Sequence, residues 1–310
     1  MCKTIVLCGI MFLFFSCQTA KKSGEMKKTA GNQPVPLTVY DFIPDLSDVL
    51  VENSGLLIYK NLCWGFNDSG GKNELYAFGK SGKIKMQVEI KNAENHDWES
   101  IAQDKSFIYV GDFGNNNGNR KNLCIYKIDK KDISKKSKQK VKADKIEISY
   151  ARQKQFSFLK KTTPYDCEAM AYFSKKLYLF SKNWKDYTTK IYELPTKEGE
   201  YKLQPTDSFD VKMLVTGADI SPDKRKMALI GYKNYQAFMW IFSDFPGDHF
   251  FKGKQQYFSL PNVGKAQTEG ICFFDNDVIL ISSEKQGDIP QQVYGVDLKK
   301  LQNGTSQDKR

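Results

Sequence analysis

One short run of residues recurs along this chain, and it constrains the fold more than any other feature. Asp97-Trp98-Glu99-Ser100-Ile101-Ala102 leads across a tight turn to Phe107-Ile108-Tyr109-Val110-Gly111-Asp112. Asp166-Cys167-Glu168-Ala169-Met170-Ala171 leads to Leu177-Tyr178-Leu179-Phe180-Ser181, and Thr268-Glu269-Gly270-Ile271-Cys272 leads to Val278-Ile279-Leu280-Ile281-Ser282. Looser copies begin at Glu52-Asn53-Ser54-Gly55-Leu56 and Val215-Thr216-Gly217-Ala218-Asp219. Each copy reads as a polar, usually acidic entry, a strand, a turn and a second strand. Keyed on Ser54, Glu99, Glu168, Thr216 and Glu269, the units are spaced by 45, 69, 48 and 53 residues. That is near the length of a four-stranded propeller blade.

The intervals hold the strands such a blade needs. In the first, residues 55–60, 62–67, 74–78 and 84–90 alternate and carry aromatic and β-branched side chains, which is strand chemistry. The next three intervals each yield four such segments. The fifth yields three, and residues 37–42, which precede the first unit and alternate correctly, supply the missing outer strand. A ring closed by strands from both ends leaves no free sheet edge. The expected fold is therefore an all-β propeller of five four-stranded blades, or six if residues 151–165 hide strands. The competing β-sandwich does not explain the repeated entry.

The N-terminus reads differently. Lys3 precedes a mostly apolar run from Thr4 to Ser16, too short for the about 20 helical residues that span a bilayer but suited to a secretory signal. Phe14-Phe15-Ser16-Cys17 resembles a bacterial lipobox, with Phe14 and Phe15 departing from its usual residues. The resemblance implies cleavage before Cys17 and lipidation of its thiol. Residues 17–36 then read as a tether with little to bury, residues 37–303 as one propeller domain and 304–310 as a polar tail. Export with a lipid anchor in the cell envelope follows, with the outer membrane favoured because Gln18 is no retention signal. Cys63, Cys124, Cys167 and Cys272 have no C-x-x-C spacing, so buried thiols are expected rather than a zinc site.

The formal net charge of +11 is partly local. Residues 127–145 hold nine lysines against Asp129, Asp132 and Asp144. The run is either a solvated loop or a contact for anionic lipid headgroups or another polyanion. No recognition motif accompanies it, so nucleic acid is not an expected partner. A monomer is expected.

The repeat gathers acidic residues at one mouth of the ring. Folding about Lys60 sets Glu52 near Asp68, and folding about Asp104 and Lys105 sets Asp97 near Asp112. Folding about Ser174 and Lys175 sets Asp166 near Asn183; folding about Asp275 and Asn276 sets Gln267 near Glu284. With Glu99, Glu168 and Glu269 at the unit starts, this is a ring of carboxylates. Protons, water or cations must relieve such a ring, and hard oxygen donors suit Ca²⁺ or Mg²⁺. The alternatives are a bound cation or small polar ligand, or an inert wet channel. Asp112-Phe113-Gly114-Asn115-Asn116-Asn117-Gly118 is a poor EF-hand loop and a better Asn-Gly turn. His96 and His249 are the only histidines; His96, beside Asp97, is the candidate base. Trp98 and Trp184 either stack on a ligand at the mouth or pack between blades.

Together these residues carry a family resemblance. Glu52-x-Ser54-Gly55-Leu56, Trp64-x-x-Asn67-Asp68-Ser69-Gly70, Asp97-Trp98-Glu99-Ser100-Ile101-Ala102 and Val110-Gly111-Asp112-x-Gly114-Asn115-Asn116 resemble exported bacterial propellers of the SdiA-regulated and phytase-esterase-like group. The resemblance runs roughly over residues 52–284 and is specific in the first two blades. It implies calcium at the propeller. Two functions are then in play. One is a lipid-anchored binding or scaffold propeller that takes a cation, a small polar ligand or an envelope protein. The other is a calcium-dependent phosphoesterase using Glu99, Asp112, Glu168 and Glu269 to hold metals that activate water.

Overall fold

The computed structural model describes residues 33–156 and 159–300. The expected signal segment, Cys17, most of the tether and the tail lie outside these residues. In chain order the strands begin with β1 (Val35–Pro36) and β2 (Tyr40–Ile43), followed by β3 (Leu57–Tyr59), β4 (Leu62–Gly65), β5 (Glu74–Phe78) and β6 (Ile84–Ile90). Then come β7 (Trp98–Gln103), β8 (Phe107–Asp112), β9 (Cys124–Asp129), β10 (Lys138–Val141) and β11 (Asp144–Tyr150). The third group is β12 (Asp166–Phe173), β13 (Lys176–Lys182), β14 (Thr189–Pro195), β15 (Gly199–Leu203) and β16 (Pro205–Phe209). β17 (Leu214–Ile220), β18 (Lys226–Lys233), β19 (Gln236–Ser243) and β20 (Lys254–Ser259) form the fourth, and β21 (Thr268–Phe273), β22 (Val278–Ser283) and β23 (Gln292–Asp297) the fifth.

These strands make five sheets in a ring, a five-bladed propeller. The inner strands β3, β7, β12, β17 and β21 are neighbours in that order, and β21 returns to β3. The expected closure is present: β2 completes the fifth blade by pairing with β23. The described part of residues 151–165 adds no strand, so six blades are excluded. Five apolar clusters, one at each blade-to-blade seam, make up the core. The four cysteines are buried free thiols.

Two features went beyond the repeat. Three blades carry a fifth, outermost strand lent by the next blade around the ring. β10 pairs parallel with β6, β15 with β11, and β1 with β20. Residues 138–141 of the lysine run are thus an edge strand strapped to the first blade, rather than a loop. The lysines themselves suit that role, since charge on an edge strand discourages further pairing.

The second feature is a β-bulge at the same repeat position in every blade. Register slips by one residue between Trp98 and Ser100, Cys167 and Ala169, Val215 and Gly217, and Thr268 and Gly270. It also slips between the Asn53–Asn67 bridge and the Leu57–Trp64 pair. The skipped residues in the last four blades are Glu99, Glu168, Thr216 and Glu269. A bulge leaves its extra residue unpaired and re-aims its side chain, so the repeat's unit starts are the residues released from the ladder.

Candidate functional site: an acidic mouth

The mouth is built where inner strands begin and second strands end. Two of the expected cross-hairpin pairs form as drawn: Asp68 N–H donates to the Glu52 carbonyl (2.9 Å), and Glu284 N–H to the Gln267 carbonyl (3.0 Å). The other two are each off by one residue, through the bulge at Glu168 in one and through the position of the turn after Gln103 in the other. Asp166 stands opposite Lys182 instead of Asn183, and Asp112 stands opposite Trp98 instead of Asp97.

Asp68, Asp97 and Glu99 come together, each offering an oxygen within 4.8 Å of the others. Glu99 is 3 % exposed, and its carboxylate accepts no hydrogen bond among the described residues. Gly114 makes the crowding feasible. A Cβ there would lie 2.2 Å from Glu99 Oε1 and 2.4 Å from Asp97 Oδ2, so no other residue could bring this backbone so near.

The other half of the mouth holds an ion pair. Lys182 Nζ donates to Glu168 Oε2, and both side chains are buried. The ammonium lies 4.8 Å from the Trp184 ring centroid and 5.1 Å from that of Tyr232, within cation–π range. Trp184 Nε1 donates to Asp166 Oδ2 (2.7 Å), and Asn115 N–H donates to Asp166 Oδ1 (2.7 Å). Asp166 is thereby hydrogen-bonded from two neighbouring blades. Glu269 Oε1 accepts from Gln267 Nε2 (2.6 Å), while its Oε2 is buried without a partner. Glu284 is half-buried at the rim and Glu52 is exposed there.

Burial sets the electrostatics. It raises the Asp97 carboxyl to about 7, with Asp68 and Asp166 adding repulsion, and Asp68 to about 6. Glu269 and Glu284 rise to about 8, again chiefly through burial. Glu99 is pushed well above the carboxylate range by burial, then by Asp68, Glu168 and Asp97. Glu168 and Asp166 are also raised by burial, against the pull of Lys182. Burial opposes the Lys182 charge, yet Glu168, Tyr232 and Glu269 hold it well above the usual lysine range. Lys182, and Arg120 at Asp97, oppose a larger number of acids, so at neutral pH the mouth must retain protons or take up positive charge.

Several expected members play other parts. Asp112 stands outside the three converging carboxylates. Its buried carboxylate is used by Arg120 Nη2 (2.6 Å), the Asp97 N–H (3.1 Å) and His96 Nδ1 (3.3 Å). His96 also meets Glu94 (3.1 Å), which makes it a clamp between two carboxylates rather than a free base. Trp98 is fully buried; its Nε1 donates to the Glu94 carbonyl (2.9 Å) and its ring meets Phe66 edge-on. The Asp112–Gly118 segment bridges blades: Asn115 Nδ2 reaches the Tyr165 carbonyl (3.1 Å), and Gly118 N–H closes a turn onto the Asn115 carbonyl (2.7 Å).

Below the mouth the inner strands come close together among the described residues. Ser54, Gly55, Ser100, Gly217, Glu269 and Gly270 leave an axial void of about 10 Å³, room for about one water. Ser54 Oγ donates to the Glu99 carbonyl (3.2 Å) and Thr216 Oγ1 to the Thr268 carbonyl (2.7 Å), knitting adjacent inner strands shut. The acidic mouth forms a bowl above this narrow stretch.

No protein-family model matches this chain, and no curated protein matches it. Similar solved structures include a glucose dehydrogenase, with 8% identity, 83% of this chain and 98% of that one covered, and a TM-score of 0.47. Kuenenia stuttgartiensis hydrazine synthase shares 11% identity over 92% of this chain and 83% of that one, with a TM-score of 0.40. A chain of a mitotic checkpoint complex shares 11% over 91% and 73%, with a TM-score of 0.39. Likenesses this distant carry no argument about chemistry, and the five-bladed ring rests on its own strand ladders.

Proposed function

We propose that this chain is a binding or scaffold propeller of the bacterial cell envelope, lipid-anchored at Cys17, whose acidic bowl holds one divalent cation. The observation that carries the reading is the Asp68–Asp97–Glu99 group, whose oxygens converge within 4.8 Å of one another around the 3 % exposed Glu99. An all-oxygen donor set favours Ca²⁺ or Mg²⁺ over softer metals, and Ca²⁺ tolerates the irregular geometry that Asp97 and Glu99 at one strand start and Asp68 on a neighbouring segment provide. The ion would anchor a small polar ligand or a loop of an envelope protein at the bowl. An outer-membrane position is part of this proposal. The phosphoesterase alternative gains no observation, since Lys182 is already engaged by Glu168 and Asp112 by Arg120.

The test is calorimetric titration of Ca²⁺ and of Mg²⁺ into metal-stripped chain starting at residue 33, which contains every described strand. A melting scan runs in parallel. An ion that binds only the folded state adds about 2.7 kcal/mol at a hundredfold excess over Kd. Saturable Ca²⁺ binding that is lost in Glu99→Gln supports the reading. Absence of heat and of any shift at millimolar ion rejects it.

A further inference from the structure

The opposite face of the ring carries a second, basic site. At the far ends of the strands that build the bowl, the hairpin tips of the first two blades frame an open groove of about 620 Å³. It is lined by Tyr59, Lys60, Lys105, Phe107, Lys130 and Lys131 among others, with Asp129 as the carboxylate on its wall. Volumes of about 300–1,000 Å³ are usual for small-ligand sites.

Its lysines are unusual in their partners. Lys130 is only half-exposed, and its Nζ donates to Gln103 Oε1 (2.8 Å) and the Asp104 carbonyl, both neutral acceptors. Lys60 Nζ likewise donates to a carbonyl, that of Ile133 (3.2 Å). Both ammoniums sit over the Tyr59 ring, at 5.0 Å for Lys60 and 4.7 Å for Lys130, and Lys127 sits 4.2 Å from the Phe107 centroid. The nearby Asp104 carboxylate is taken up by the Ser106 and Phe107 N–H groups (2.7 Å each) and the Tyr109 hydroxyl (2.8 Å). Asp129 is committed to Lys131 (2.8 Å). Among the described residues, Lys60, Lys105, Lys127 and Lys130 therefore make no ion pair. Burial pushes the Lys130 ammonium down to about 8, with Asp104 pulling the other way.

Convergent ammoniums on an aromatic floor, poised by neutral acceptors rather than neutralised by carboxylates, have donors and charge to spare. We propose that this groove binds a multivalent phosphate-bearing anion, with Lys60, Lys105 and Lys130 supplying the donors and the Tyr59 ring flanking the Lys60 and Lys130 ammoniums. The anion is either a soluble oligophosphate or the phosphate of a lipid headgroup; the chemistry is the same.

Two titrations separate the sources: tripolyphosphate in solution, and vesicles of phosphatidylglycerol against vesicles of phosphatidylcholine. Each is run at low and at physiological salt, because exposed charges are screened over about 8–10 Å there. Tripolyphosphate binding without preference for charged vesicles identifies the soluble ligand; selective vesicle binding identifies the headgroup. In either case Lys60→Glu/Lys105→Glu is expected to weaken binding at least about tenfold, the equivalent of about 1.4 kcal/mol. Both positions are exposed, so folding is expected to survive, with a melting scan as the check. Lys224→Glu/Lys265→Glu, equal in charge but remote from the groove, should change binding little. Failure of both probes to bind, or an equal loss in the remote variant, overturns the proposal.

Discussion

Lys182 and Glu168 form a fully buried ion pair at the centre of the acidic bowl, with Trp184 and Tyr232 flanking the ammonium. Breaking a buried pair from one side strands the other charge, at a cost of about 3–5 kcal/mol. Lys182→Met should therefore be strongly destabilising in urea denaturation near neutral pH. Most of the loss should return in Lys182→Met/Glu168→Gln, which removes both charges. Equal instability of the single and double variants would show that Lys182 acts through packing alone.

The bowl also fixes how stability depends on pH. Asp97 (about 7), Glu269 and Glu284 (about 8) bind protons more tightly in the fold than in the unfolded chain. The folded state thus holds more protons across this range, and stability falls as pH rises. The contribution is whole below the unfolded carboxylate range of about 4 to 4.5 and is lost as pH climbs through 6 to 8. Metal-stripped protein should melt several degrees lower at the alkaline end, where each kcal/mol is worth about 2–4 °C in a domain of this size. A melting point that rises over this interval would contradict the burial of these acids.

Gly114→Ala tests the bowl without touching a charge. The added methyl would meet Glu99 Oε1 and Asp97 Oδ2, so those carboxylates must move apart. Affinity for the proposed cation should fall about tenfold or more, with a loss of stability of about 1–3 kcal/mol as expected for overpacking. Calorimetric titration beside a denaturation curve separates the two effects.

Removing β1 and β2 tests the closure. A chain starting at Asp45 exposes the edges of β23 and β20, and bare edges invite pairing between molecules. Light scattering should show concentration-dependent association that the longer chain lacks.

Blade number and ring closure were legible because they are properties of alternation and spacing, which side-chain order records directly. The bulges were not. Alternation assumes that a hairpin keeps its register, and one skipped residue at Glu168 was enough to bring Lys182 opposite Asp166, where Asn183 was expected. The roles of Asp112 and His96 were lost for a related reason. Arg120 lies beyond the hairpin in sequence, and nothing in the spacing announces that it returns to claim Asp112. The straps β10 and β15 were hidden because an edge strand of lysines, or one that opens on Gly199 directly after Lys197-Glu198, has the composition of a loop.

Those straps have a consequence for how the ring gives way. The seams between blades one and two, two and three, and four and five are each crossed by a lent strand. The seam between three and four has none among the described residues, but Phe173, Phe209, Trp240, Phe242, Phe250 and Phe251 fill it. The seam between five and one has neither device among the described residues and is crossed instead by residues 46–51, bonded to Gly82 on one side and to Lys285 and Gln291 on the other. Its apolar cluster is the smallest of the five, and Glu284 and Glu52 face each other across its rim. Breathing is drawn to the least protected boundary, so amide exchange in the native ensemble should begin where β21 meets β3, with the molecule behaving as a clasp hinged by its strapped blades.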